Sequence, residues 1–353
     1  MEKLRICSIG LGGMDRHHTR AHKELGLTEI VAFCDIIPER AEMMRDEYFP
    51  DAKVYTDYRE MIEKENPDAV DIATPNYLHS PMAVFALEHG CHVFCEKPDA
   101  VSVAEAEKMR DAAEKAGKIL MVMRNNRYYT PSVFMKQFIA DGKAGDIYAA
   151  RCGWQRRRGI PGKGGWFTTK AQSGGGPLID LGVHMIDLAI WAMGNPTPVA
   201  VSGCTYNKFA DDNADADSEN AKFGDAMTDG TFDVEDLAMG FIRFDNGACL
   251  QIEFSWASNV DKEKRYVELR GTKAGFSWRS SDEIEVYSEE HGVLTDLKPQ
   301  LKGIDGHAAN IAHFIDCVQN GTAPDFVPQQ GVNMIKILTA IYESAETGKE
   351  VLL

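Results

Sequence analysis

Three ionisable side chains interrupt an otherwise apolar stretch of the chain. Asp180, His184 and Asp187 lie among Ile179, Leu181, Met185, Ile186, Leu188 and Ile190, which recur at helical spacing. At i, i+4 and i+7 the three are expected to project from one side of a helix. Charged groups in such surroundings cost free energy unless they pair or face a cleft. They therefore form either a buried pair that fixes helix packing or part of a site. A second candidate is Lys97 in Glu96-Lys97-Pro98. Pro98 biases Lys97 toward an extended backbone, so its ammonium is expected to project from a strand tip; the alternative is a solvated loop lysine. A third is the glycine turn Gly10, Gly12, Gly13 and Met14, with Asp35 beyond it.

These residues need elements to hold them. The apolar stretch starts with Gly174, Gly175, Gly176 and Pro177 and stops at Gly194, start and stop signals for one helix. The glycine turn follows a strand over 4–9 and opens a helix running through Leu25. A strand over 30–35 then ends in Asp35. Gly10 permits the tight turn, Gly12 lets backbone approach a pyrophosphate at the helix N-terminus, and Asp35 lies where a carboxylate would accept a ribose diol. Ile36 and Ile37 follow it rather than Arg, which favours NAD over NADP. Asp15 occupies the third glycine position, so helix–strand packing there must be arranged differently.

The rhythm repeats with helices over 41–48 and 58–64, a short strand at 54–55 and a strand over 69–73. That strand ends in the loop Thr74, Pro75, Asn76 to His79, at a strand C-terminus where open parallel sheets bind ligands. A helix over 81–89 leads to the strand 91–95 that carries Lys97. A helix over 104–116 and a strand over 119–123 complete a doubly wound α/β domain, assigned to 1–123.

The texture changes over 124–353, assigned to a second domain. A helix over 131–141 and a strand over 146–154 precede an irregular run, 155–169. There Arg156, Arg157 and Arg158 stand beside Trp154, Trp166 and Phe167. That mixture resembles a sugar site; an exposed basic loop is the alternative. Strands are expected over 199–204, 237–244, 248–255 and 265–270, with a hairpin signal at Asp245-Asn-Gly247, so this sheet is largely antiparallel. The acidic segment 210–236 reads as a solvated loop rather than a metal site. Helices over 307–319 and 330–347 close the chain. His307 would either cap its helix or face a cleft.

Composition bounds the function. At 353 residues, two domains are expected. A net charge of −16 argues against nucleic acid and anionic membranes as partners. No run of about 18 apolar residues marks a membrane span. Met1 to Ile6 leads directly into a strand with no signal peptide, and the eight cysteines form no CxxC pair. The expectation is a cytoplasmic protein with reduced thiols.

Together these motifs resemble the glucose–fructose oxidoreductase, inositol dehydrogenase and rhizopine-catabolism (Gfo/Idh/MocA) family of sugar dehydrogenases. The resemblance spans nearly the whole chain. It rests on the Gly10/Gly12 turn with His18, Asp35, Ala73 to His79, Glu96-Lys97-Pro98, Asp180 with His184, and the ending Ile341 to Gly348. It implies a Rossmann domain followed by an α/β domain whose open, mainly antiparallel sheet mediates homodimers or homotetramers. It also implies NAD at Gly10, Gly12, Gly13, Met14, Asp35, Ala73, Thr74, Pro75, Asn76, His79, Glu96 and Lys97, and a sugar-like substrate at Arg127, Trp154, Arg158, Trp166, Phe167 and His184. Lys97, Asp180 and His184 become the catalytic set. His184 would take the hydroxyl proton, Asp180 would orient it or bond a neighbouring hydroxyl, and Lys97 would stabilise the developing alkoxide. No metal is required, since the lysine supplies the electrophile. The expected reaction is NAD-dependent oxidation of a secondary hydroxyl of a sugar, glycoside or cyclitol, with C3 of a glycoside the favoured position. Two alternatives remain: redox-neutral glycoside cleavage by transient oxidation and elimination, and a non-catalytic nucleotide or sugar sensor.

Overall fold

The computed structural model describes residues 3–210, 224 and 226–353. Most of the acidic segment, 211–223 and 225, therefore lies outside the described residues. The chain divides into two compact units, one formed by Met1–Met123 with Gly306–Ile335 and the other by Arg124–Asp305 with Lys336–Leu353.

The first unit alternates strand and helix: β1 (Leu4–Ile9), α1 (Gly13–Leu25), β2 (Thr28–Cys34), α2 (Pro38–Tyr48), β3 (Lys53–Tyr55), α3 (Tyr58–Glu65), β4 (Ala69–Ile72), α4 (His79–Glu88), β5 (His92–Cys95), α5 (Val103–Ala116) and β6 (Leu120–Val122). The strands pair in the order β3-β2-β1-β4-β5-β6, all parallel. They are short and buried on both faces, as Ile6, Phe33, Val70, Ile72, Val93 and Phe94 show. Strand order reverses at β1 and β4, so the glycine turn after β1 and the loop after β4 flank the switch point where such sheets hold ligands.

In the second unit α6 (Thr130–Ala140) leads to β7 (Ile147–Gln155). Two short helices, α7 (Lys170–Ser173) and α8 (Pro177–Asp180), precede α9 (Gly182–Ala192). Strands β8 (Pro198–Tyr206), β9 (Leu237–Phe244), β10 (Cys249–Ser255), β11 (Lys264–Gly271), β12 (Ala274–Trp278), β13 (Ile284–Glu290) and β14 (Val293–Leu297) follow. Helices α10 (Gly306–Asn320) and α11 (Pro328–Thr347) come next, and β15 (Val351–Leu352) ends the chain. Among the described residues the sheet runs β14-β13-β12-β11-β7-β10-β9-β8-β15; β7 and β10 pair parallel and the other neighbours antiparallel. Cys152, Leu250, Ile252, Phe254, Val267 and Leu269 bury one face of it, against Met185, Leu188 and Ala189 of α9.

Two expectations change. Residues 306–335 group with the nucleotide-binding unit rather than the second domain, because α10 buries Ile311, Phe314 and Ile315 there, with the Phe314 ring 5.3 Å from Phe94 of β5. The single helix expected over 177–194 is broken at Leu181. Gly182, a poor helix former, lies where a Cβ would stand 3.3 Å from the Phe254 ring, and the chain restarts as α9 from it.

Candidate active site

The glycine turn is built for close approach. Gly10 has φ +86°, and a Cβ there would stand 2.4 Å from Thr74 Cγ2 and 2.8 Å from the Thr74 backbone. Gly12 and Gly13 are exposed, with nothing within 4 Å of a Cβ position. Gly12 is the N-cap of α1, and no side chain among the described residues caps that thirteen-residue helix. The first N–H groups of a helix have no intrahelical partner, which fits a pyrophosphate at this turn. Beside the turn, Asp35 Oδ2 accepts from Leu11 N–H at 2.8 Å and Oδ1 from Ile37 N–H at 2.9 Å. The two amides hold the carboxylate in place, and each oxygen keeps acceptor capacity for a diol.

The loop after β4 carries Ala73, Thr74, Pro75 and Asn76, the last three on the turn leading into α4. His79, expected at the cofactor, lies inside the fold between two loops. It is fully buried, with Nδ1 2.8 Å from Pro98 O and Nε2 2.9 Å from Thr74 O. The ring thus lies between the loop after β4 and the loop after β5, and in its neutral form it donates to one of these two carbonyls. Burial pushes its pKa below the ordinary value, against the opposing pull of the two carbonyls. Half-buried Lys97 follows β5, and its N–H donates to Glu96 Oε2 at 3.0 Å. Glu96, also expected at the cofactor, is buried with Oε1 2.9 Å from His18 Nε2.

Asp15 explains how α1 packs without a third glycine. Fully buried, it accepts hydrogen bonds from the hydroxyls of Ser8 on β1 and Thr19 one turn along. Burial and the nearby Asp71 raise its pKa from 3.8 to about 7. The folded state therefore keeps a proton that the unfolded chain releases, and stability from this residue is lost as pH rises from about 4 to about 7. Asp15→Asn stays neutral throughout. It is expected to melt above the wild type at pH 8, with the gap closing below pH 4. Parallel melting-temperature curves across that range would refute this account of Asp15.

In the second unit Asp180 ends α8 and His184 sits in the first turn of α9. Asp180 Oδ2 accepts from Trp256 Nε1 at 2.9 Å, and the half-buried His184 ring lies 6.3 Å from that of Trp154. Trp154 is hemmed in by the guanidiniums of Arg156 and Arg265, each 5.0 Å from its ring, and its Nε1 donates to Glu263 at 2.8 Å. Asp187 departs from the shared face expected of the three acids and bases. It is buried and grips Arg124 at 3.0 Å and Arg127 at 2.6 and 2.8 Å. Arg127, expected at the substrate, is thereby taken up inside the fold, its guanidinium also 5.9 Å from the Trp191 ring.

The rest of the aromatic and arginine cluster is split. Trp166 and Phe167 stack at 3.8 Å, the first half-buried and the second buried. Arg158 donates to Arg157 O, Ser258 O and Asn259 Oδ1 and lies 4.6 Å over Phe209, so it serves as a loop tie. Nothing in the sequence pattern singles out Arg265, Trp256 or Glu235. Buried Glu235 accepts from the N–H groups of Gly176 and Leu178 at 2.9 and 3.0 Å and from Tyr342 Oη at 3.0 Å. A Cβ on Gly175 would meet Tyr342 Oη at 2.0 Å, and one on Gly176 would meet Glu235 O at 2.0 Å. The glycine run is thus a packing requirement that sets the entry to α8. Among the described residues no group of three or more His, Cys, Asp or Glu side chains could hold a metal ion, and no helix is long and apolar enough to cross a membrane.

Two family models match: the oxidoreductase family with an NAD-binding Rossmann fold over residues 4–124, and the GFO/IDH/MocA C-terminal domain over 133–277. The chain is 32% identical over 351 residues to the D-glucoside 3-dehydrogenase of Escherichia coli K12, covering 99% of this chain and 97% of that protein. It is 31% identical over 307 residues to the levoglucosan dehydrogenase of Pseudarthrobacter phenanthrenivorans, covering 81% and 76%. Among solved structures, a levoglucosan dehydrogenase in complex with NADH and levoglucosan superposes with a TM-score of 0.87 at 23% identity, covering 99% of both chains.

Proposed function

The chain belongs to the GFO/IDH/MocA oxidoreductase family, whose N-terminal domain is an NAD-binding Rossmann fold, and on that premise we propose that it oxidises the C3 hydroxyl of a D-glucoside to the ketone. The observation that carries the substrate is the similarity to D-glucoside 3-dehydrogenase across 99% of the chain. The Trp154 ring beside His184 supports it, since an aromatic surface next to a base suits a pyranose.

Each residue has a role in its own chemistry. The amides of the Gly12 turn would hold the pyrophosphate of NAD, and Asp35 the adenosine ribose. NAD supplies the hydride acceptor. His184 takes the hydroxyl proton as the C–H bond breaks. Lys97 supplies the positive charge that stabilises a developing alkoxide. Asp180, oriented by Trp256, bonds a neighbouring hydroxyl or the imidazole. The products are a 3-keto glucoside, NADH and a proton that His184 passes to water.

A cytoplasmic location goes with this reading, supported by eight cysteines of which none is in a disulfide among the described residues. So does a homodimer or homotetramer through the second unit's sheet, supported by half-exposed Met239, Phe241 and Tyr266 on its open face.

The test is NADH formation with purified protein, NAD and a panel of alkyl glucosides, anhydro sugars, free sugars and cyclitols. NADH with glucosides bears out the proposal; NADH with another class alone replaces the substrate. Aglycone release without NADH would mean redox-neutral cleavage. Asp35→Ala is expected to weaken NAD binding about 10- to 100-fold, from about 1.5–3 kcal/mol per hydrogen bond to a charged group. Unchanged affinity by titration would move the adenosine elsewhere.

A further inference from the structure

The first unit buries more ionised side chains than a nucleotide site uses, and they are connected. His18 on α1 is fully buried, with Nδ1 2.9 Å from Asp71 Oδ1 on β4 and Nε2 2.9 Å from Glu96 Oε1 just beyond β5. Asp71 also faces His22, whose Nε2 is 3.1 Å from Oδ2 and whose Nδ1 is 3.0 Å from Thr28 Oγ1. A neutral imidazole can donate from one nitrogen only. A ring with a carboxylate at each nitrogen satisfies both when it is an imidazolium. Burial works against that charge, but the two carboxylates outweigh it and hold His18 well above its ordinary pKa. Glu96, pushed up by burial, is held below the usual carboxylate range by His18 first and by Lys97 and His307 after it.

The chain of contacts reaches Lys97. Glu96 uses one oxygen for His18 and the other for the Lys97 N–H at 3.0 Å. The helix that starts at the glycine turn is thereby tied to the backbone carrying the lysine. His18 also keeps the Glu96 carboxylate committed.

We propose that His18 is a positioning residue for the reaction, acting through Glu96 to fix the Lys97 backbone. This rests on the role proposed above for Lys97. A merely structural histidine would move stability and leave the lysine's contribution intact, which gives the experiment its form.

Single-turnover hydride transfer is measured for wild type, His18→Gln, Lys97→Met and the double variant, with NAD and the best substrate of the panel above. NAD affinity is titrated by fluorescence alongside. His18→Gln is expected to slow transfer about 10- to 100-fold, the scale of a misplaced reacting group, with NAD Kd within about twofold. In the Lys97→Met background His18→Gln is expected to cost nothing further, because the two act as one unit. An equal further loss in that background would make His18 structural and overturn the proposal, as would a wild-type rate in His18→Gln beside an impaired Lys97→Met. A wild-type rate in Lys97→Met would instead sink the role of Lys97, and this proposal with it. If His18→Gln does not fold, Glu96→Gln takes its place in the same cycle with the same expected non-additivity.

Discussion

His184→Ala is expected to cut turnover by about a hundredfold or more while NAD binds as tightly as in the wild type. General base catalysis contributes about 10²- to 10⁴-fold when the proton acceptor is in place. His184 sits in the first turn of α9, whose buried face anchors it through Val183, Met185 and Ile186, so the ring is held by packing on either side of it in sequence. Alanine removes the ring and leaves that anchor. The nucleotide-binding features, Gly10, Gly12 and Asp35, belong to the other unit, so affinity for NAD is expected to stay. The measurement is kcat with the saturating substrate found in the panel beside a fluorescence titration of NAD. Normal turnover would remove His184 as the base. Lost NAD affinity would mean that the ring serves the cofactor rather than the sugar. His184→Gln retains hydrogen bonding without basicity, and it is expected to bind substrate but not to rescue the rate.

The parts legible in the sequence were those where one residue type answers one local demand. Gly10 has a positive φ and no room for a Cβ beside Thr74, and it reads as a turn glycine from sequence alone. Gly247, at φ +84°, closes the hairpin that Asp245-Asn-Gly247 announced. What stayed hidden depends on partners far along the chain. Nothing in the Val234-Glu235-Asp236 run tells that Glu235 will accept the N–H groups of Gly176 and Leu178, 59 and 57 residues away. His79 reads as a loop histidine near a ligand, and only the carbonyls of Thr74 and Pro98 show that it lies between two loops. Strands β13 and β14 carry no hairpin signal in sequence, because their turn, His291-Gly292, lacks the Asn-Gly or Asp-Gly signature although both residues have positive φ. Asp187 misled for a related reason: helical spacing puts it near His184 in sequence, while two arginines from 124–127 claim its carboxylate.

That last arrangement supports the largest expected effect on stability. Asp187→Ala is expected to cost about 3–5 kcal/mol, the range for removing one partner of a buried ion pair. The carboxylate is buried and takes three short contacts from two guanidiniums that are themselves almost wholly buried. Alanine strips both of the anion that balances them, and their donors cannot regain water without opening the packing of residues 124–127 against α9. Burial raises the pKa of Asp187, but Arg127 and Arg124 outweigh it and hold it below the usual carboxylate range. The sign follows: the folded state binds this proton less readily than the unfolded chain. Its stabilisation is present above the unfolded pKa, about 3.9, and disappears as pH falls through the lower folded value. The wild-type advantage over Asp187→Ala is therefore expected to be full at pH 7 and to shrink below about pH 4. Urea unfolding at both pH values measures it as a shift in midpoint with little change in slope. A loss under about 1 kcal/mol at pH 7 would mean that the arginines are satisfied without Asp187. They would then be available to a ligand, and the substrate role first expected for Arg127 would stand again.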